Sequence, residues 1–220
     1  MKYSHKNSGE TIVEVMIAAV LLTAVLASAF VSLNRAAKTN INVQNRVVAI
    51  NLARESMESV RNIRDTNWLK YSGNRRDKWL CLDSVGDPDA CNGGGVPTSM
   101  TDGFYQVNFS DTFQRYFLIK VAGAAELDVP GSSAGLENFR LYQELLTGKF
   151  TYDSDGGTNP ATPFYRQIEL DVATDDVCGG AQCNEEKLKV TVRVGWIEKN
   201  VSKNITLETH LFDFYQRDAY

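Results

Sequence analysis

Residues 15–33 form nineteen consecutive positions without a charge, and a single carboxylate, Glu14, stands immediately before them. As a helix rising 1.5 Å per residue, that run covers roughly 28 Å, the thickness of a bilayer's hydrocarbon core. No Pro or Gly interrupts residues 10–72, so nothing in the chain stops the helix at the membrane boundary. A charge at mid-membrane costs about 2.5 to 3.5 kcal/mol on insertion scales. Glu14 avoids the centre of the run: it lies in the first turns, where the helix dipole favours an anion and a free amine at residue 10 would be in reach.

Two simple explanations of such a run are a conventionally cleaved secretory signal and a plain signal anchor. A secretory signal has an apolar region of about 7 to 15 residues and ends in a small-x-small site. This run is longer and passes Ala27, Ser28 and Ala29 to continue through Phe30, Val31 and Leu33. Lys2 and Lys6 precede the run while Arg35, Lys38 and Arg46 succeed it, so the positive-inside bias alone assigns no orientation.

The segment resembles the class III signal peptide of type IV pilins and type II secretion pseudopilins. Its parts are a short leader with Lys2 and Lys6, Gly9 before the cut, Glu10 as first mature residue and Glu14 at mature position five. Glu10 stands where the family usually has Phe or Met. The resemblance implies cleavage between Gly9 and Glu10 by a prepilin peptidase, and a head outside the bacterial inner membrane. It further implies assembly through Glu14 with other pilin-like subunits on an inner-membrane platform, in contact with membrane lipid.

Beyond Leu33 the apolar residues Val43, Val47, Ile50, Ala53, Met57, Val60 and Ile63 recur at spacings of three and four, the stripe of an amphipathic helix that covers a head's core. Asp65, Thr66 and Asn67, with Ser72, Gly73 and Asn74 after them, read as its stop. The division expected is leader 1–9, membrane and assembly helix 10–33, amphipathic helix 34–72 and β-rich head 73–220.

Within the head, residues 81–103 read as loop. Strands are expected over 104–109 and 113–121, and a hairpin joins 139–146 to 150–152. Leu188, Val190, Val192, Val194 and Trp196 alternate with polar residues. With Phe164, Ile168, Leu170 and Val172 before them and Ile205, Leu207 and Leu211 after, they predict a three-stranded antiparallel meander with one face on the helix. The fold class is α+β, a long N-terminal helix packed on an antiparallel sheet, as in the pilin architecture.

Charge is uneven: residues 34–80 sum to +6 and residues 81–220 to −10, so stem and head of neighbouring subunits attract. Apart from Arg75, Arg76 and Lys78, an acidic head offers little to nucleic acid, and no nucleic-acid partner is expected. Four cysteines fall as two close pairs, Cys81 with Cys91 and Cys178 with Cys183. Local pairing is the simplest of three connectivities. Free thiols and a metal site are the alternatives, the latter without a C-x-x-C spacing or a nearby His.

Catalytic motifs are lacking: no H-E-x-x-H, G-x-S-x-G or P-loop occurs, and the only histidines are His5 and His210. No enzyme activity and no cofactor are expected. Asp153 and Asp155 open a stretch that begins like a calcium loop but lacks Gly at its sixth position and Glu at its twelfth, with a solvated acidic turn as the alternative. The other class of function compatible with the sequence is a single-pass anchored extracytoplasmic binding protein or enzyme.

Overall fold

A computed structural model describes residues 10–71, 73, 78–83, 91, 98–128, 136–175, 185–198 and 201–212. Its one long helix, α1, spans Glu10–Lys70, 61 residues. The chain divides into two compact units, Met1–Val47 and Val48–Tyr220. The first contains the apolar part of α1, whose side chains from Ile12 to Leu33 are solvent-exposed in the isolated chain.

The second unit pairs the rest of α1 with an antiparallel sheet. Its strands are β1 (Cys81–Leu82), β2 (Thr98–Ser99), β3 (Gly103–Ser110), β4 (Arg115–Lys120), β5 (Arg140–Gln143), β6 (Phe150–Thr151), β7 (Ala161–Asp175), β8 (Glu185–Glu198) and β9 (Val201–Phe212). β1 and β2 pair with each other, and the other seven form one sheet, all neighbours antiparallel. β7 is central, with β8 and then β9 on one side and β3 and β5 sharing the other. The predicted meander is β7–β8–β9, in unbroken register from Phe164 opposite Trp196 to Lys187 opposite Phe212.

The core lies between helix and sheet. Ala49, Leu52, Ala53, Met57, Val60 and Ile63 of α1 pack with Val107, Leu118, Ile168, Leu170 and the β8 row Leu188, Val190, Val192, Val194 and Trp196. Strand parity explains the β8 row, since every second residue points to the same face.

Four expectations are corrected. The buried stripe of α1 starts at Ala49; Val43 and Val47 are both more than half exposed because they lie in the first unit. Asp65, Thr66 and Asn67 do not end the helix. Asn67 is buried, its amide donating to the carbonyls of Trp79 (3.1 Å) and Cys81 (2.7 Å), and those bonds hold the last turn in place through Lys70. The segment 81–103 is not all loop: Cys81 faces Ser99 and Leu82 faces Thr98 in a short ladder. The sheet's second face is also partly covered. Gln167 accepts from the Leu127 amide (2.9 Å) and donates to the Ala125 carbonyl (2.8 Å), pinning a strap that buries Leu127 with Phe139 and Tyr165.

Met57→Asp would place an unpaired charge in the core and is expected to destabilise the head by about 4 kcal/mol or more, whereas Arg54→Ala on the exposed side should change stability by less than about 0.5 kcal/mol. Chemical denaturation of the whole chain in detergent checks this; equal stability of the two variants would contradict the assigned core face.

Candidate functional site

The chain's candidate site for assembly is the first unit of α1. Gly9 lies outside the described residues, and α1 begins at Glu10. Glu14 is exposed on the helix, flanked by exposed Ile12, Val13, Val15, Met16 and Ile17, and has no ion-pair or hydrogen-bond partner among the described residues. The apolar stretch has a mean hydropathy of 2.5 over eighteen residues, none of it buried within the chain, and it is long enough to cross a membrane. Its hydroxyls are suited to an apolar medium. Thr23 donates to the Val20 carbonyl (2.9 Å), Ser28 to Val25 (2.8 Å) and Ser32 to Ser28 (3.0 Å), so those hydroxyls find acceptors on the helix itself. That leaves Glu14 as the unpartnered polar side chain of the apolar segment.

The head is held to its part of α1 by a buried cation. Arg166 of β7, its side chain 2 % exposed, donates from Nη1 to Glu55 Oε2 of α1 (3.1 Å), from Nε to the Tyr152 hydroxyl (2.9 Å) and from Nη2 to the Val107 carbonyl (3.4 Å). The Tyr152 hydroxyl donates in turn to the Arg166 carbonyl (3.0 Å). Burial holds the Tyr152 phenol above its ordinary value, with the Arg166 guanidinium opposing. Burial draws Arg166 down, but Tyr152 and Glu55 together outweigh it and its net shift is upward. The guanidinium therefore stays charged, and each of its three nitrogens has an acceptor.

A second polar junction joins the end of α1 to the sheet edge. Asp83 Oδ2 accepts from Lys70 Nζ (3.1 Å) and Arg115 Nη1 (3.0 Å), beside an open recess of about 330 Å³ lined in part by Asn62, Thr66 and Tyr116. Cys81 and Cys91 form a disulfide with Cα atoms 6.2 Å apart, buried against Tyr71. Lys78 Nζ donates to the Cys91 carbonyl (2.6 Å). Cys178, Cys183, Arg75 and Arg76 lie outside the described residues.

Asp153 and Asp155 shape a turn: Asp153 Oδ1 accepts from the Asp155 amide (2.8 Å), and Asn159 donates to the Asp153 carbonyl (3.0 Å). Both aspartates are exposed, and among the described residues no three His, Cys, Asp or Glu side chains converge. His210 is exposed on β9, 3.5 Å from Glu208.

Arg166, Glu55 and Tyr152 belong to no motif that marks them in the sequence. A signal was present all the same: the apolar positions 164, 168, 170 and 172 leave a gap at 166, which the strand's parity points at the helix.

Compared with known proteins, the chain matches no family model, no curated protein and no solved structure. A long apolar N-terminal helix leading into a β-sheet head fits a pilin-like architecture.

Glu55→Ala would leave Arg166 without its counter-charge and should cost about 2 kcal/mol in urea denaturation, below the range for fully buried pairs because Glu55 is partly exposed; Glu55→Leu with Arg166→Met should recover most of that loss. Tyr152 has a folded value above 10.0, so the stability it contributes is present below about pH 10 and is lost as pH rises through the folded value. Tyr152→Phe should flatten the alkaline fall in stability, measured as midpoint against pH. Non-reducing peptide mapping of protein from an oxidising compartment should return Cys81 linked to Cys91, a link worth roughly 2 to 3 kcal/mol; free thiols at both would contradict it.

Proposed function

We propose that this chain is a structural subunit of a type IV pilus or type II secretion-like filament, a minor pilin or pseudopilin. It is made as a precursor, held in the bacterial inner membrane with its head extracytoplasmic, cut after Gly9 by a prepilin peptidase, and drawn through a membrane platform into a bundle of like helices. The observation that carries this reading is Glu14, an unpartnered carboxylate among exposed apolar residues of a helix long enough to span a bilayer. In hydrocarbon such a group needs a cation. The α-amine that cleavage creates at Glu10 of a neighbouring copy supplies one. Low dielectric strengthens that pair and makes either charge alone costly. The Glu10 side chain adds a second carboxylate near that amine, so the pairing competes with it.

Chemistry plays no part in this reading, and neither cofactor nor nucleic acid enters it. The head contributes shape and surface, and the membrane helix contributes the assembly force.

Glu14→Ala is expected to leave membrane insertion and cleavage unchanged and to lower the ratio of assembled to membrane-pool protein about tenfold or more, given one lost charge pair in a low-dielectric bundle. The ratio is measured in cells carrying the companion subunits. An unchanged ratio would favour an anchored extracytoplasmic protein that does not assemble.

A further inference from the structure

The head carries its exposed apolar residues unevenly. Gly103 lies opposite Leu170, so β3 runs towards the beginning of β7, and the turn after Ser110 lies at that end of the sheet. Tyr142 opposite Ala161 puts the β5–β6 turn there too, and Phe164 opposite Trp196 does the same for the β8–β9 connection. Lys149 Nζ, 2.9 Å from Asp111 Oδ1 and 5.5 Å above the Phe109 ring, ties the first two turns side by side. This one end presents Phe109, Phe113, Leu145, Leu146, Ile197 and Val201, with Leu146 94 % exposed. Apolar side chains gathered like this in a water-facing head mark a contact surface.

The charges beside them narrow the partner. Lys149 is taken by Asp111, while Glu144 and Glu198 have no ion-pair partner among the described residues. The complementary surface occurs on the same chain, in the stem. Residues 34–47 carry Arg35, Lys38 and Arg46 and no acid, and all three are exposed, as are Ile41, Val43 and Val47. Lys38 and Ile41 stand three residues apart, and Val43 stands three and four from Arg46 and Val47, so cation and apolar side chain share a face.

We propose that the turn end of one head docks on the stem, residues 34–47, of a second copy. Leu145 and Leu146 cover the apolar stem residues, and Glu144 and Glu198 meet its cations. The two surfaces differ, so the contact is head-to-tail and propagates instead of closing on itself. This inference rests on the assembly reading, and it names the surface that the head adds to the contact made by the membrane helix.

The test places a photo-crosslinking amino acid at Leu146, or at Ala24 of the membrane helix, in the whole chain expressed with its companion subunits. Adducts of two-chain mass are mapped with an isotope-labelled second copy. Adducts from Leu146 within residues 34–47 of the second copy are expected, and Glu144→Arg should lower their yield at least about fivefold, with Arg46→Glu restoring it. Adducts from Ala24 together with none from Leu146, or with Leu146 adducts to lipid, another protein or a second head, would overturn the docking and leave assembly standing. No two-chain adduct from either position would overturn both.

Discussion

An apolar helix with nothing of its own chain against it is the constraint on which the rest of the molecule depends. Side chains from Ile12 to Leu33 are exposed in the isolated molecule, and at roughly 25 cal/mol per Å² of apolar surface left in water the first unit is untenable as a solvated helix. Hydrocarbon or a bundle of similar helices removes that cost. In either medium the backbone is satisfied within the helix, the hydroxyls of Thr23, Ser28 and Ser32 are bonded back to it, and the remaining unmet demand is the charge of Glu14. An apolar helix that carries one unsatisfied carboxylate is specified for a partner as well as for a membrane.

The same helix solves a different problem in its second unit. From Ala49 its buried stripe meets the apolar rows of β7 and β8, and packing there is non-directional. Orientation comes from the polar insertions. Arg166 reaches Glu55 on the helix, Tyr152 after β6 and Val107 on β3, so a sliding helix would strand a buried guanidinium. Such a group adds little net stability but penalises wrong alignments. Asn67 does the neutral equivalent at the helix end, with the Cys81–Cys91 link closing the segment beside it.

Much of this was legible in the residues because it depends on periodicity. The 3.6-residue stripe and the strict alternation at 188–196 report which faces are buried whatever the long-range contacts. What escaped depends on contacts far apart in sequence. Val43 continues the stripe's spacing but falls outside the unit that the sheet covers. Asp65, Thr66 and Asn67 carry stop chemistry, yet Asn67 finds its acceptors at Trp79 and Cys81. The strap over Gln167 has no periodic signal, since its bonds to Ala125 and Leu127 cross some forty residues. For the candidate site, Glu14 stood out because a carboxylate beside nineteen uncharged residues is conspicuous, whereas Arg166 hid among strand residues that looked amphipathic.

Processing is the central claim, because only a cut chain has the new amine that meets a neighbour's Glu14. Intact mass analysis of the chain recovered from assembled filaments addresses this most directly. The expected result is a polypeptide that begins at Glu10. A chain that keeps residues 1–9, or one that begins after Ala27 or Ala29, would contradict the claim, because the amine would then be absent from the first helical turn or the helix itself would be gone.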